Sequence, residues 1–571
     1  MPHRRFPHPP MAGVLFAILA AGLPAQSWLP SSPYPTWSSV QPLRTLRVDY
    51  DSGKTSSENG EVLHTAMLSL QPGDELKVGS GTYTIDARLE LTLQGTATAP
   101  IWITAANLGS RPVVTRSDAK QNALNLGSFT TAVKYLCLRG LEITNGSELV
   151  RILLAEQLWM DKCYIHDGNG TGIAANTVDI SYLYLTENEI ARPGPGQTGE
   201  GMYLGANGGA SRVTYSVIAF NHVHSTTSST QGDGIELKQG SHHNWVVGNH
   251  VHDTKYPCIL VYGTGGNDIN VIENNLCYNS GDAALQVQGE AIVRNNIAMN
   301  GSDAFACHDH QGQTTNLVVV HNTFVNSKTG CLLNSWDNRA GMVFANNVVY
   351  SETGAALQFG KGSAGAVLAG NVIYGTVTGA SSGYVLGAGI GDFVAASWDA
   401  TKRDVRPVVG GPIDNRGVSR YAVPLDAAGQ PRSLPINPGA LANDATMVGD
   451  VRTITARTGG QQILTFVLGP GFAGEDYLLL GSASGSTPGV VAGDFELPLV
   501  ADVWFNFTLS VSTAPLIQSG FGQLDGAGKA TPRIVLPALP VVSGTELRHA
   551  MLVFRGGGLE FVANPVTLKL E

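Results

Sequence analysis

The tetrapeptide "NHVH" occurs at residues 221–224 and again at 249–252, and it belongs to a longer series. An asparagine, any residue, an aliphatic residue and a polar or aromatic one recur as "NEIA" from Asn188, "NLCY" from Asn275, "NIAM" from Asn296, "NTFV" from Asn322, "NVVY" from Asn347 and "NVIY" from Asn371. Successive copies are 33, 28, 26, 21, 26, 25 and 24 residues apart, and "LEIT" at Leu141 and "CYIH" at Cys163 extend the series backward in degenerate form. A period in the twenties, carried by short alternating segments punctuated by Gly, Asn and Asp and without helical periodicity, describes a solenoid of stacked coils. The leucine pattern of a leucine-rich repeat is absent, which leaves a right-handed parallel β-helix. Equivalent residues of adjacent coils then stack about 4.8 Å apart, so the asparagines line up as an internal amide ladder.

A second strand follows each asparagine phrase: "GIAAN", "GMYLG", "GIELK", "CILVY", "ALQVQ", "AFACH", "GCLLN" and "AALQF". Alternation puts Ile235 and Leu237 inward and turns Glu236 and Lys238 outward. Working outward, residues 1–25 read as a secretory signal peptide, with Arg4 and Arg5 before the apolar run Met11–Leu23 and small residues around Ala25. Residues 26–57 read as an N-terminal leader and 58–375 as the β-helix, with a short amphipathic helix at 59–70 capping its first coil. Residues 376–444 read as a closing segment and linker. From 445 to 571 the clean alternation of "QILTFVLG", "YLLLGSASG" and "HAMLVF" between Gly and Pro turns predicts an antiparallel β-sandwich. The fold class expected is therefore all-β: a right-handed parallel β-helix of about ten or more coils followed by a C-terminal antiparallel β-sandwich.

The 571 residues carry 35 basic and 45 acidic side chains; without Arg4 and Arg5 the balance is 33 against 45, a net charge of -12. A nucleic-acid partner is excluded by that sign, since phosphate neutralisation takes a basic surface. No stretch past the signal peptide approaches the ~20 apolar residues of a membrane span. A secreted or cell-surface, monomeric protein with an extracellular polysaccharide partner is the expectation. The six cysteines show no zinc spacing and have apolar neighbours, so they read as buried thiols as readily as disulfides.

The phrases "LQPGDELKVGSGTYT" and "GTATAPIWITAANLGSRPVV" resemble the opening of the β-helix polysaccharide lyases related to chondroitinase B and alginate lyase, over about residues 58–375. The resemblance implies removal of the proton on carbon 5 of a uronate. Such a reaction needs a base, a positive group or metal at the carboxylate, and an acid for the leaving oxygen. In "IELKQGS" the acid-rich strand and lysine of that family match Glu236 and Lys238, with Ser241 displaced; where the family has Arg-His-Gly, this chain reads Val261-Tyr262-Gly263. The segment "DAFACHDHQGQTTNLVV" is similar to one in mannuronan carbon-5 epimerases at Phe305, His308 and Asp309, with Ala306 where those enzymes keep an aspartate. The block from "YLLLGSASGSTPG" to "VANPVTLKL" looks like a C-terminal module found on varied secreted bacterial proteins.

The candidate catalytic residues are Lys238 as base and Tyr262 or His308 as acid, stacked with Gln288 in one row of the second sheet. Tyr203, Gln286, Gln288, His310 and Trp336 are the candidate substrate-binding residues, and Asp233 and Glu236 the candidate oxygen ligands of a calcium ion. Glu200, Asp282 and Asp303 fall at the turns entering these strands. The leading reading is a lyase-type enzyme on uronate-containing polysaccharide. The alternatives are a non-catalytic glycan-binding or structural β-helix, a carbon-5 epimerase, and a glycoside hydrolase built on Asp233 with Glu236 or Asp303 with Asp309. His222, His224, His250 and His252 could gather a transition metal. The position of His224 and His252 is occupied elsewhere by His166, Tyr278, Tyr350 and Tyr374, which favours a stacking column instead.

Overall fold

The computed structural model describes residues 26–571, apart from 197, 229, 409–410, 431, 433–435, 443–445, 469–471, 487–488, 493–494 and 511–514; the expected signal peptide lies outside the described residues. Two parallel sheets of 14 and 23 strands wind around one apolar interior. The 23-stranded sheet carries two stacks side by side. One holds the asparagine-phrase strands, such as His222–His224 on His250–Thr254; the other holds Met202–Leu204, Ile235–Leu237, Ile259–Val261 and Leu285–Val287. Each coil thus presents three faces, and the apolar partner of every alternating pair points inward.

The ladder at the corner explains why asparagine recurs. Asn221 Nδ2 donates to Asn249 Oδ1 at 2.9 Å and to the Leu185 carbonyl at 2.8 Å, while Asn249 Oδ1 also accepts the Asn221 N–H at 3.0 Å. The same bonding runs from Asn188 to Asn371, so each amide has its donors and acceptors used in a dry interior. The residue before each ladder asparagine adopts the left-handed conformation, with φ 57° at Phe220, 65° at Gly248 and 54° at Asn346. That conformation is costly for Phe220, and the amide bonds hold it. Cys163 precedes the ladder in place of an asparagine, its N–H donating to Asn188 Oδ1 at 3.0 Å; all six cysteines are buried free thiols.

The first coil is closed by the helix Ser56–Leu68, started by a reciprocal cap in which Glu58 N–H donates to Thr55 Oγ1 and Thr55 N–H to Glu58 Oε2. Leu63 and Met67 face the interior, and Gly60 lies so close to the Thr84 carbonyl that a Cβ would stand 1.9 Å from it. The leader does more than lead: Arg44–Val48 is the first strand of the 14-stranded sheet, and Trp37 packs against Trp102, Tyr135 and Trp159. At the other end the coils continue past 375, through Asn371–Thr378 to Tyr384–Leu386. The closing segment forms the hairpin Phe393–Ala396 and Arg403–Pro407, packed on Tyr278, Met299, Tyr350 and Val372.

The C-terminal unit is a sandwich of five- and six-stranded sheets, antiparallel except where Thr453–Ile454 runs parallel to Val566–Leu570. Phe466, Leu479, Ile534, Met551, Val553 and Leu568 fill the space between them. It docks on the β-helix through the Arg457–Glu142 ion pair and through Lys569, 3.4 Å from Glu187. No helix among the described residues is long and apolar enough to cross a membrane.

Candidate functional site

Strand Ile235–Leu237 carries the site. Ile235 and Leu237 face the core as alternation requires, and Glu236 and Lys238 project from the other side. Alternation turns that side outward, yet Glu236 is 3% exposed and Lys238 2%. Two features of later and earlier coils cover them. The Tyr203 and Tyr262 rings flank the ammonium, with Lys238 Nζ 4.6 Å from one ring centre and 5.1 Å from the other. Next to His310, whose ring is 5.3 Å from that of Tyr262, a bridge joins distant coils: Gly208 N–H donates to Gln311 Oε1 at 2.9 Å and Gln311 Nε2 donates to Asn207 Oδ1 at 3.3 Å.

Beneath the tyrosines three carboxylates converge. Glu200 and Asp233 occupy equivalent positions on adjacent coils, each before the glycine that opens its strand, as the backbone bond from Gly201 N–H to Asp233 O shows. Their oxygens and those of Glu236 lie within 4.8 Å of one another, and all three residues are buried. Lys238 Nζ donates to Glu236 Oε1, and Thr171 Oγ1 donates to Glu200 Oε2 at 3.2 Å. Glu200 Oε1, Asp233 Oδ1 and Glu236 Oε2 have no hydrogen-bond partner. Burial, then repulsion from Glu236, raises Glu200 to about 7; burial, then Glu236 and Glu200, pushes Asp233 well above the usual carboxylate range; and burial raises Glu236 against the pull of Lys238. Burial also raises both tyrosine phenols, with the same carboxylates adding to it.

Fully ionised, three carboxylates against one ammonium would put two negative charges in a dry pocket, and three of their oxygens lack partners and lie close together. This donor set fits a divalent, oxygen-preferring cation such as calcium. Glu200 is the member that sequence reasoning left out of the ligand set. The signal was present in the paired "GEGMYL" and "GDGIEL", which put Glu200 and Asp233 at one coil position.

The remaining candidates separate. Register puts Lys238, Tyr262, Gln288 and His308 in one column, one residue beyond the pairs Leu237↔Val261 and Val261↔Val287. His308 is therefore three coils from Lys238, about 14 Å at ~4.8 Å per coil, and cannot share a reacting atom with it. His310 instead returns over the site, its ring 5.3 Å from that of Tyr262. Burial, then His308 and Lys238, lowers its pKa. Gln286 and Gln288 are buried, and Gln288 Oε1 accepts the Gly263 N–H at 3.4 Å, while its Nε2 has no partner. Trp336 must be corrected: at 0% exposure it is packed on Phe344 and Phe359 inside the β-helix and meets no substrate. Ser241 is structural, its hydroxyl accepting the Val213 N–H. Asp303 and Asp309 do not face each other as a hydrolytic pair, since Asp309 is held by Arg339 at 2.7 Å and by the Thr314 N–H, and Asp303 is bonded to Ser302 at the entering turn.

The family described as "Right handed beta helix region" matches residues 113–270, the stretch containing the first coils of the ladder and the carboxylate cluster. With the pairings above, the chain carries a right-handed parallel β-helix. No curated protein matches the chain significantly. Among solved structures, the chain is similar to pectate lyase Pel9A at 16% identity and a TM-score of 0.43, over 71% of this chain and 97% of that one. Alginate lyase from Paenibacillus sp. str. FPU-7 follows at 17% and 0.30, over 60% and 95%. The catalytic domain of a GH87 alpha-1,3-glucanase is similar at 13% and 0.34, over 63% and 70%. Lyases and a hydrolase thus appear together, and likeness at this level assigns no chemistry.

Proposed function

We propose that the chain is an extracellular polysaccharide lyase that removes the carbon-5 proton of a uronate. The observation that carries this reading is the convergence of three buried carboxylates with unpaired oxygens beside a lysine held between two tyrosines. Glu200, Asp233 and Glu236 would hold calcium, which supplies positive charge to neutralise the uronate carboxylate and the enolate-like intermediate. Lys238, in its neutral form, takes the carbon-5 proton at Nζ. The electron pair left behind forms the carbon 4–carbon 5 double bond, the bond from carbon 4 to the glycosidic oxygen breaks, and the Tyr262 hydroxyl gives that oxygen its proton. Tyr203 walls the opposite side of Lys238, and His310 flanks Tyr262. Val261 lies in the core where the resembling lyases have an arginine, so a cation held by Glu200, Asp233 and Glu236 would supply the positive charge that the arginine brings there.

The test is incubation of the protein with alginate, pectate, and chondroitin or dermatan sulfate, with and without calcium, following the ultraviolet absorbance of unsaturated uronate ends. Calcium-dependent absorbance on at least one polymer is expected. A second reading, a non-catalytic glycan-binding β-helix, is favoured by one feature: Lys238 is almost sealed from solvent, at 2% exposure. Glycan retention without absorbance on any polymer selects that reading and rejects the lyase. New reducing ends without absorbance indicate hydrolysis, and solvent deuterium at carbon 5 without cleavage indicates epimerisation.

A further inference from the structure

On a different face of the β-helix from Lys238, the four histidines of the two "NHVH" phrases form a packed group. The stacking column expected from the repeat is present: His224 and His252 lie 5.3 Å apart at 8°, and His252 and Tyr278 4.8 Å apart at 2°. A second stack, His222 on His250 at 4.8 Å and 11°, runs beside it. Stacking accounts for the ring planes, and His250 Nε2 is bonded to the Tyr278 hydroxyl at 3.0 Å. His222 Nε2 and His252 Nε2 face each other at 2.9 Å, and His222 Nδ1 has no partner. Asp253 Oδ2 accepts from His252 Nδ1 at 2.7 Å, which fixes the proton there and turns the Nε2 lone pair toward His222 Nε2. Glu189, itself buried, has an unpartnered Oε2, and its Oε1 is 3.5 Å from His224 Nε2.

We propose that His222, His250 and His252 bind a transition-metal ion of the zinc class, with Glu189 and His224 as the adjoining donors. The ligand atoms of the three histidines lie within 4.8 Å of one another, as do those of Glu189, His222 and His224, and His222 belongs to both sets. Zinc–nitrogen bonds of about 2.0–2.1 Å in a tetrahedron place the nitrogens roughly 3.4 Å apart. The 2.9 Å pair therefore opens by about half an ångström to admit the ion. Asp253 accepting from the far nitrogen of a ligating imidazole is the outer-shell arrangement that orients such ligands. Around the group, Glu189 and Asp253 are the neighbouring carboxyl groups, and Arg403, over the Tyr278 ring at 4.4 Å, is a neighbouring guanidinium. His250 lines a cavity of about 360 Å³ between the β-helix and the C-terminal sandwich, which provides an entry path. Nitrogen donors select zinc, copper or nickel over calcium, so this site and the carboxylate cluster discriminate between ions by donor type.

The full-length, untagged chain, stripped with a chelator, is titrated with Zn²⁺ at neutral pH and excess calcium, and bound zinc is measured after gel filtration. One zinc per chain is expected, lost in His222→Gln and kept in Asp233→Asn. Co²⁺ in its place should give the visible absorption of a nitrogen-bound ion. Asp253→Asn, on an exposed side chain, keeps the ligands and should weaken zinc about 10–100-fold; it serves where His222→Gln fails to fold. Zinc uptake that is unchanged in Asp253→Asn, that disappears in Asp233→Asn, or that is absent from the wild type overturns the site.

Discussion

Asn249 and Asp233 are both buried in the same β-helix, one in the corner ladder and one at the mouth of the neighbouring strand stack, and their polar atoms fare oppositely. Every donor and acceptor of the Asn249 side chain is used, by Asn221, Asn275 and the Ile218 carbonyl. Asp233 has a bare oxygen, facing the bare oxygens of Glu200 and Glu236. The ladder is polar structure completed by its own repeat. The carboxylate cluster is incomplete without something the chain does not supply. Burial alone would have grouped the two; the hydrogen-bond inventory separates a structural column from a functional one.

The sharpest test of that separation is activity. Lys238→Ala should lower the rate of unsaturated-uronate release by about 10²–10⁴-fold, the usual contribution of a positioned base, with circular dichroism unchanged. A variant that retains its rate would remove Lys238 as base. Next in size is the ladder. Asn249→Ala strips the acceptor from two donors on Asn221, its backbone N–H and one Nδ2 hydrogen, at about 1–3 kcal/mol for each group left unsatisfied. Urea unfolding should show a total loss of roughly 2–5 kcal/mol. A neutral result would mean that the ladder is decorative.

The cluster should respond with the opposite sign. Glu200 has its folded pKa at about 7 against an ordinary 4.5, so the folded state holds a proton that the unfolded state has released. Stability in chelator is therefore greatest below about pH 4.5 as far as this group is concerned. It falls as pH rises to about 7, by no more than about 3 kcal/mol. Calcium should abolish that fall. Asp233→Asn, which removes one of the repelling charges, should raise the melting temperature in chelator at pH 8 and abolish the calcium response. If it destabilises as Asn249→Ala does, the two columns are alike and the cluster is ordinary structure.

How much of this could be read in advance follows from what each feature depends on. The solenoid was legible because Asn188 to Asn371 repeat one local requirement, an amide following a left-handed corner residue, coil after coil. Lys238, Glu236 and Asp233 were legible as a group because they lie within six residues on one strand and its entry. Glu200 was missed as a ligand although "GEG" and "GDG" align, because its role appears only when two coils are stacked. Trp336 was misplaced because alternation holds within a strand, and the chain turns inward after Leu333, beyond the strand's end. The roof was illegible altogether: Gln311 and Gly208 are joined across about a hundred residues by side-chain and loop geometry that no periodicity records.

That roof supplies the smallest effect and the finest distinction. Gln311 makes two hydrogen bonds to the Asn207–Gly208 turn across the covered column, one of 2.9 Å and one of 3.3 Å. Because these groups are largely solvent-exposed, the bonds are worth only about 0.5–1.5 kcal/mol each. If the bridge opens to admit a polymer, Gln311→Ala should raise kcat/KM on long chains about two- to ten-fold, while short oligosaccharides change less. A fall on both substrates would make Gln311 a substrate contact and the bridge one wall of the binding groove. The carboxylates would then be roofed by ligand in the working enzyme and by Gln311 only in its absence.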